Sequence, residues 1–427
     1  MENIGNDILN IDEVILSDES IEKFDYREYQ SQSPSNLNTV GEIDIVIQNQ
    51  DIFALPSKSY LLIEGRLVST GNEYAADAKV ALINNAIPYM FSQIRYHIND
   101  RAIEDINSPG QATTIKGLLT YGNDFAKGLN MCWLKDTSAA AAETNKGFES
   151  RQRLIIAKPD PRGTFAFYIP LAHLFGFCDD YTKVVYGVKH SLLLSRKSDN
   201  DAIFRDNGAP VGRITLSKLS WCMPHVTPSL QYKSILVKQI ERKIKIPVAF
   251  RSSRCESLAV PQVTEFAWRL CSNVDTAKPR WIIVAFQTKR NESQVKNPAL
   301  FDNVAVSNIY AELNTERYPY TDMALNFTQF KTCRAYEALC NFKEEYVGTT
   351  SHVSSIQITP EDFVELYPLF VIDVRHQPER LKTTTLDIHI RASFANNVPA
   401  DTTAYALIIS DKLIYLQSDG SKFSSVY

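Results

Sequence analysis

Residues 164–205 read TFAFYIPLAHLFGFCDDYTKVVYGVKHSLLLSRKSDNDAIFR. Residues 165–169 are a short aromatic and aliphatic run of the kind that fills a packed sheet, and Pro170 ends it. Residues 171–175 have the spacing of one helical turn, with Gly176 placed as its C-cap. Residues 184–194 return as a long strand, and 179–183 form a polar tip between the two. A strand, one helical turn and a second strand within about 30 residues predict a β-sandwich that carries its loops on the outside.

The same reading extends in both directions. Upstream, Ile43, Ile45 and Ile47 alternate with polar neighbours and predict a strand from residue 41. Further strands are expected at 60–68, 80–83, 94–98 and 102–106, with Asn99-Asp100 as a hairpin turn. Residues 113–121 have helical spacing. Ala139–Ala142 sit in a loop of about 30 residues, a length that marks a functional or disordered segment. Residues 214–223 close the first unit, and Pro224 and Pro228 bracket a linker.

Downstream, 230–240 read as a short helix, and 244–250, 263–270, 281–287, 309–313 and 369–374 as strands. Trp281 to Gln287 is apolar on both faces, as a central strand is. Phe330, Cys333, Tyr336 or Glu337, and Cys340 share one helical face, which predicts a helix over 329–342. The clearest alternation is at 386–394: Leu386, Ile388, Ile390, Ala392 and Phe394 face one way, and Asp387, His389, Arg391 and Ser393 the other. A turn at 396–399 leads to strands at 405–409 and 413–416. Roughly 14 to 17 short strands separated by turns predict an all-β chain of sandwiches or barrels. The layout fits two tandem jelly-roll β-sandwiches with short helical insertions, at 41–228 and 229–427.

Residues 1–40 form an acidic N-terminal arm. Residues 1–30 hold nine Asp or Glu against Lys23 and Arg27. Ile4, Ile8, Ile11 and Ile15 recur at helical spacing. That stripe is too narrow to form a core alone, so it needs a partner surface. Residues 31–39 read as a polar linker.

At 427 residues the chain is long enough for two or three domains. An apolar fraction of 44% and a charged fraction of 22% are those of a globular protein, and 11% aromatics favour sheets. A net charge of -4 gives no electrostatic footprint for sequence-specific nucleic acid. No apolar run approaches 18 residues, so no membrane span is expected. The acidic N-terminus lacks a signal-peptide pattern, so secretion by that route is not expected. Seven cysteines, an odd number without metal-ligand spacing, are read as free buried thiols of a reducing compartment. The glycosylation patterns at Asn291 and Asn326 are accordingly taken as chance.

Motifs that carry chemistry are missing. The sequence has no phosphate-cradling glycine loop, no dinucleotide fingerprint and no nucleophile elbow. Its histidines (His97, His173, His190, His225, His352, His376, His389) are scattered. Asp199-Asn200-Asp201 faintly resembles a calcium loop but lacks the glycine and distant glutamate, so it is read as a turn. Cys333 and Cys340 are assigned to core packing. Lys238, Arg242, Lys243 and Lys245 are read as a solvated face or subunit contact, and Lys289-Arg290 and 375–380 as small basic groups in loops. No catalytic residue, metal site or cofactor is expected.

Four stretches carry a family resemblance: IPYMFSQIRYHINDRAIED from Ile87, FYIPLAHLFGFCDDYTKVVYGVKHSLLLSR from Phe167, PRWIIVAFQTKR from Pro279, and LDIHIRASFANNVPADTTAYALIISD from Leu386. In these the chain resembles the double jelly-roll major capsid proteins of small eukaryotic DNA viruses, of the adintovirus and Polinton (Maverick) type. The resemblance implies two upright jelly rolls per subunit and a homotrimer of pseudo-hexameric outline that tiles an icosahedral capsid. It implies as partners the neighbouring capsid trimers and a minor capsid or penton protein. The product would reside in the virion, made in the host cytoplasm and assembled in the nucleus. It brings no active site. The alternatives are a carbohydrate- or receptor-binding β-sandwich of spike or lectin type and, more distantly, a cupin-like enzyme.

Overall fold

The computed structural model describes residues 20–31, 37–48, 52–70, 72–242, 245–270, 278–348, 356–378, 386–418 and 423–426. The first half contributes β1 (Ile21–Gln30), β2 (Gly41–Ile47), β3 (Phe53–Ala54), β4 (Tyr60–Ser69), β5 (Val80–Leu82), β6 (Phe91–Ile98), β7 (Arg101–Asn107), β8 (Thr164–Pro170), β9 (Val185–Tyr186), β10 (His190–Arg196), β11 (Ile203–Arg205) and β12 (Gly212–Pro228). One sheet has the order β8-β4-β12-β3-β9, with β1 also on β12. The facing sheet is β2-β10-β6-β7, and β5 pairs with β11. The second half repeats the plan with β13 (Ile246–Val260), β14 (Glu265–Leu270), β15 (Lys278–Thr288), β16 (Val306–Leu313), β17 (Glu316–Tyr318), β18 (Phe370–Asp373), β19 (Ile388–Phe394), β20 (Thr402–Ser418) and β21 (Phe423–Val426). Its sheets are β13-β20-β15-β18, with β21 on β20, and β14-β19-β16-β17. The fold is a double jelly roll, and each roll carries one long strand of 17 residues, β12 and β20.

Short helices interrupt the sheets: α1 (Ala86–Tyr89), α2 (Pro109–Thr120), α3 (Lys146–Gln152), α4 (Leu171–Leu174), α5 (Gly176–Asp180), α6 (Leu230–Glu241), α7 (Cys333–Val347) and α8 (Pro360–Glu365). Alternation decides facing. In β19, Ile388, Ile390, Ala392 and Phe394 are buried and Arg391 is exposed. In β4 the buried set is Leu61, Ile63, Gly65 and Leu67, and Gly65 is where the Phe165 ring packs. Asn99 and Asp100, both at positive φ, make the tight β6–β7 turn that such residues allow.

Several expectations need correction. Residues 184–194 are not one strand. Val185–Tyr186 pairs with β3 in one sheet, Gly187 turns the chain at φ +67°, and β10 joins the other sheet. Gly176 does not cap α4; it opens α5. The expected strands 405–409 and 413–416 are parts of a single strand, β20. The strand closing the first roll runs through Pro224 and Pro228, which were expected to bracket a linker. Residues 21–30, expected in the arm, are an outer strand paired with residues 220–228 of β12. The arm's isoleucines at 4, 8, 11 and 15, and His352 and Lys243, lie outside the described residues.

Candidate functional site

The two rolls meet along a seam, and the seam is polar at its centre. The long insertion between α2 and α3 brings Asp136 and, on α3, Arg151 together at 2.6 Å with side chains 0% and 1% exposed. Both Asp136 oxygens are satisfied. Oδ1 also accepts from Asn145 Nδ2 at 2.8 Å, and Oδ2 accepts from Asn297 Nδ2 of the second roll at 2.9 Å. Tyr367 donates its hydroxyl to Asp136 O at 2.9 Å. Arg151 Nε donates to Leu82 O at 2.8 Å and Nη1 to Leu134 O. A buried ion pair persists only when every remaining donor and acceptor is answered in this way. The insertion also meets α8 and the residues before it: Lys135 pairs with Asp362 at 2.5 Å, and Trp133 Nε1 donates to Gln357 Oε1 at 3.2 Å.

A second contact forms where α5 abuts β13. Arg251 donates to Asp180 from its backbone N (2.7 Å), Nε (2.9 Å) and Nη2 (2.5 Å), and its guanidinium lies 3.8 Å from the Tyr346 ring centroid. Burial opposes ionisation of Asp180, but these bonds hold its carboxyl below the usual range. Glu104 bridges the rolls, accepting from Phe177 N at 2.7 Å and Ser253 N at 3.2 Å. Burial pushes its carboxyl up to about 7. Beside this contact is an open cleft of about 400 Å³, bordered by Lys116, Tyr121, His173, Asp179, Arg251 and Tyr346. Lys116 is taken by Asp179 at 2.9 Å. His173 is taken by Tyr121 (2.7 Å) and Asn85 (3.0 Å), and burial lowers it to about 3. Lys116, Asp179, Asp180 and Arg251 are committed to partners within the protein, while Lys127 at the cleft's border is exposed to solvent.

The residues singled out by sequence are dispersed. Asp199 and Asp201 use all four carboxylate oxygens within the protein: Asp199 on Arg196 and Ile214 N, Asp201 on Lys197 and Glu292 N. Asp201 thereby holds a second-roll loop through Glu292 N, while Asp199 stays within the first roll. Among the described residues no group of three His, Cys, Asp or Glu is arranged to hold a metal, and no helix is long and apolar enough to cross a membrane. His190 is buried against the Tyr96 hydroxyl (2.9 Å) and lowered by burial to about 4. His389 lies 3.3 Å from Asp387 on the outer face of β19. Arg290 pairs with Asp302, and Arg375 with Asp373 and Glu345.

Cys132, Cys178, Cys222 and Cys255 are buried, but Cys333 is exposed, contrary to expectation. The helix begins at Cys333, later than expected, and packs through Ala335, Leu339, Phe342 and Tyr346. The seam residues Asp136, Asn145, Arg151 and Asn297 were missed; in sequence they have the composition of ordinary loops.

Two surfaces remain open. The exposed edge strand β1 carries Phe24 and Tyr26, which continue through Tyr60 and Tyr168 as an aromatic row with ring centroids 5.7, 5.4 and 3.9 Å apart. The linking helix α6 is exposed at residues 230–235, 238 and 239.

Residues 80–414 match the family model described as a double jelly roll-like domain. No curated protein matches the chain by sequence. Among solved structures, the chain is similar to one in the Sputnik virophage structure (TM-score 0.57, 10% identity, covering 98% of this chain and 91% of that one). It is also similar to the mavirus major capsid protein (0.55, 11%, 97% and 91%) and to the Faustovirus major capsid protein (0.53, 7%, 97% and 94%). At these identities the likeness is one of fold.

Proposed function

The chain belongs to the double jelly roll-like domain family, and from that premise we propose that it is a major capsid protein, the repeating structural subunit of an icosahedral shell of a double-stranded DNA virus or virus-like element. The observation that carries this reading is coverage. The fold correspondence with the mavirus and Faustovirus capsid proteins takes in 97% of this chain and at least 91% of each of theirs. The pairing of Lys116 with Asp179 and of Arg251 with Asp180 in the seam cleft supports a structural role over turnover.

The working unit on this reading is a homotrimer. Three subunits of two rolls each present six similar lobes, and six lobes tile a surface. Cyclic closure of this kind uses heterologous contacts between different patches of neighbouring subunits, and such obligate contacts bury well over 1,000 Å². The partners are neighbouring trimers and a minor or penton protein, and the product resides in the virion after synthesis in the host cytoplasm and assembly in the nucleus. The four sequence stretches named above favour the adintovirus and Polinton lineage.

Mass measurement and electron microscopy of the full-length protein test the proposal together. A species three times the 48.3 kDa of one chain, with six-lobed particles or closed shells, is expected. A stable monomer at micromolar concentration that binds glycans would replace this reading with the spike or lectin one.

A further inference from the structure

The helix α6 has little support from the rest of the fold. It has 12 residues, LQYKSILVKQIE, and isolated helices of that length are marginal in water. None of residues 230–239 is buried; Leu230, Tyr232 and Ile235 are 83%, 50% and 52% exposed. Lys233, Lys238, Arg242 and Lys245 are also exposed, and no acidic side chain among the described residues pairs with them. Only Leu236 and Val237 are half-buried, so the helix keeps an open face that is apolar and basic and suits an apolar and acidic partner.

We infer that its occupant is the N-terminal segment of the same chain, residues 1–19. Three observations select it. The first is position: Ser229 N donates to Ser20 O at 2.9 Å, so residue 19 leaves the described structure directly beside the start of α6. The second is charge. Residues 1–19 contain six carboxylates (Glu2, Asp7, Asp12, Glu13, Asp18, Glu19) and no Lys or Arg. The third is pattern and length. Ile4, Ile8, Ile11 and Ile15 form one helical stripe spanning 12 residues, about 18 Å as a helix, which is also the length of α6. Running back from residue 19, the segment lies antiparallel to α6, with its isoleucines over Leu230, Tyr232 and Ile235 and its acids toward Lys238 and Arg242. Tethering makes the contact intramolecular and raises its effective concentration. This docking does not rest on the capsid reading.

Hydrogen exchange on the full-length protein tests it, with the slow amides of β12 and β20 confirming that each variant is folded. The amides of α6 should exchange about tenfold or more slowly in the intact protein than after deletion of residues 1–19. Glu2→Lys with Asp7→Lys should abolish that protection, and adding Lys238→Glu with Arg242→Glu should restore it. The protection should survive about hundredfold dilution, as an intramolecular contact does. Equal exchange with and without residues 1–19, or a charge swap that fails to restore protection, overturns the inference. So does protection lost on dilution, which would assign the contact to a neighbouring chain, or protection seen only with added duplex DNA or anionic phospholipid vesicles.

Discussion

Gly176→Ala probes the joint between the rolls with a single methyl group. Gly176 opens α5 against the β13 backbone, and a Cβ there would lie 1.7 Å from Arg251 O and 2.8 Å from Arg251 C. A comfortable C···O approach is about 3.3 Å, so the two backbones must part by roughly 1.6 Å. Backbone borders the site, so no flexible side chain can yield. That displacement strains the 2.5, 2.7 and 2.9 Å bonds from Arg251 to Asp180 and the 3.2 Å bond from Ser253 to Glu104. Overpacking costs about 1–3 kcal/mol, and the strain spread over these bonds, taken together as the loss of one strong bond to a charged group, adds about 3 kcal/mol. A loss of about 4–6 kcal/mol is expected, a large part of a typical folding free energy. Helix propensity acts the other way, since alanine is better than glycine in a helix by about 1 kcal/mol. Urea unfolding of the full chain measures the effect, with Gly41→Ala as control because no atom lies within 4 Å of its added Cβ. The wild type should unfold in one transition and Gly176→Ala in two, as the rolls uncouple. If the two glycine variants share a midpoint within about 0.5 kcal/mol, the rolls are not rigidly joined at this contact and the argument fails.

Glu104 makes a pH-dependent contribution of definite sign. Its folded value of about 7 exceeds the ordinary 4.5, so the folded state keeps a proton that the unfolded chain has already released. That stabilisation is complete below pH 4.5 and is lost as pH rises through 7, a few kcal/mol in all; the stability difference between wild type and Glu104→Gln should narrow across that window, and a flat difference would refute it. His173 and His190, held neutral, act oppositely: their contribution is present above pH 6.5 and is lost as pH falls through about 4 and then about 3. Arg151→Met should cost about 3–5 kcal/mol by leaving Asp136 buried without its cation, and adding Asp136→Leu should recover part of it; denaturant midpoints that fall further in the double variant would contradict this. Ile388→Asp buries a carboxylate and should cost several kcal/mol, whereas Asp387→Asn, on an exposed ion pair with Arg269, should stay within about 1 kcal/mol; equal midpoints would reverse the assigned facing.

Much of the sheet pattern was legible because alternation reports burial directly. Ile388 to Phe394 and Trp281 to Gln287 read as they fold. The misread places have physical causes. Ser410-Asp411 looks like a turn, yet Asp411 pairs with Arg280 at 2.6 Å across neighbouring strands, so the polar pair sits inside β20. Nothing in 184–194 signals that Gly187 moves the chain from one sheet to the other. The polar composition of 21–30 hides an edge strand, because such a strand has no buried face to impose alternation. The seam was invisible for a different reason. Asp136 and Arg151 lie 15 residues apart in an irregular insertion, Asn297 joins them from 161 residues away, and no local period records such contacts.

Glu104, Asp136 and Asp180 also determine how the molecule bears load. A greasy interface slides, because dispersion contacts are interchangeable along the surface. An interface keyed by directional bonds at fixed positions resists shear until those bonds break together. Two rolls joined in this way bend as one beam, with no compliant waist between them. Any elastic give in an array of such subunits would then be displaced outward to the boundaries between chains, and fracture lines should follow those boundaries and leave the double rolls whole.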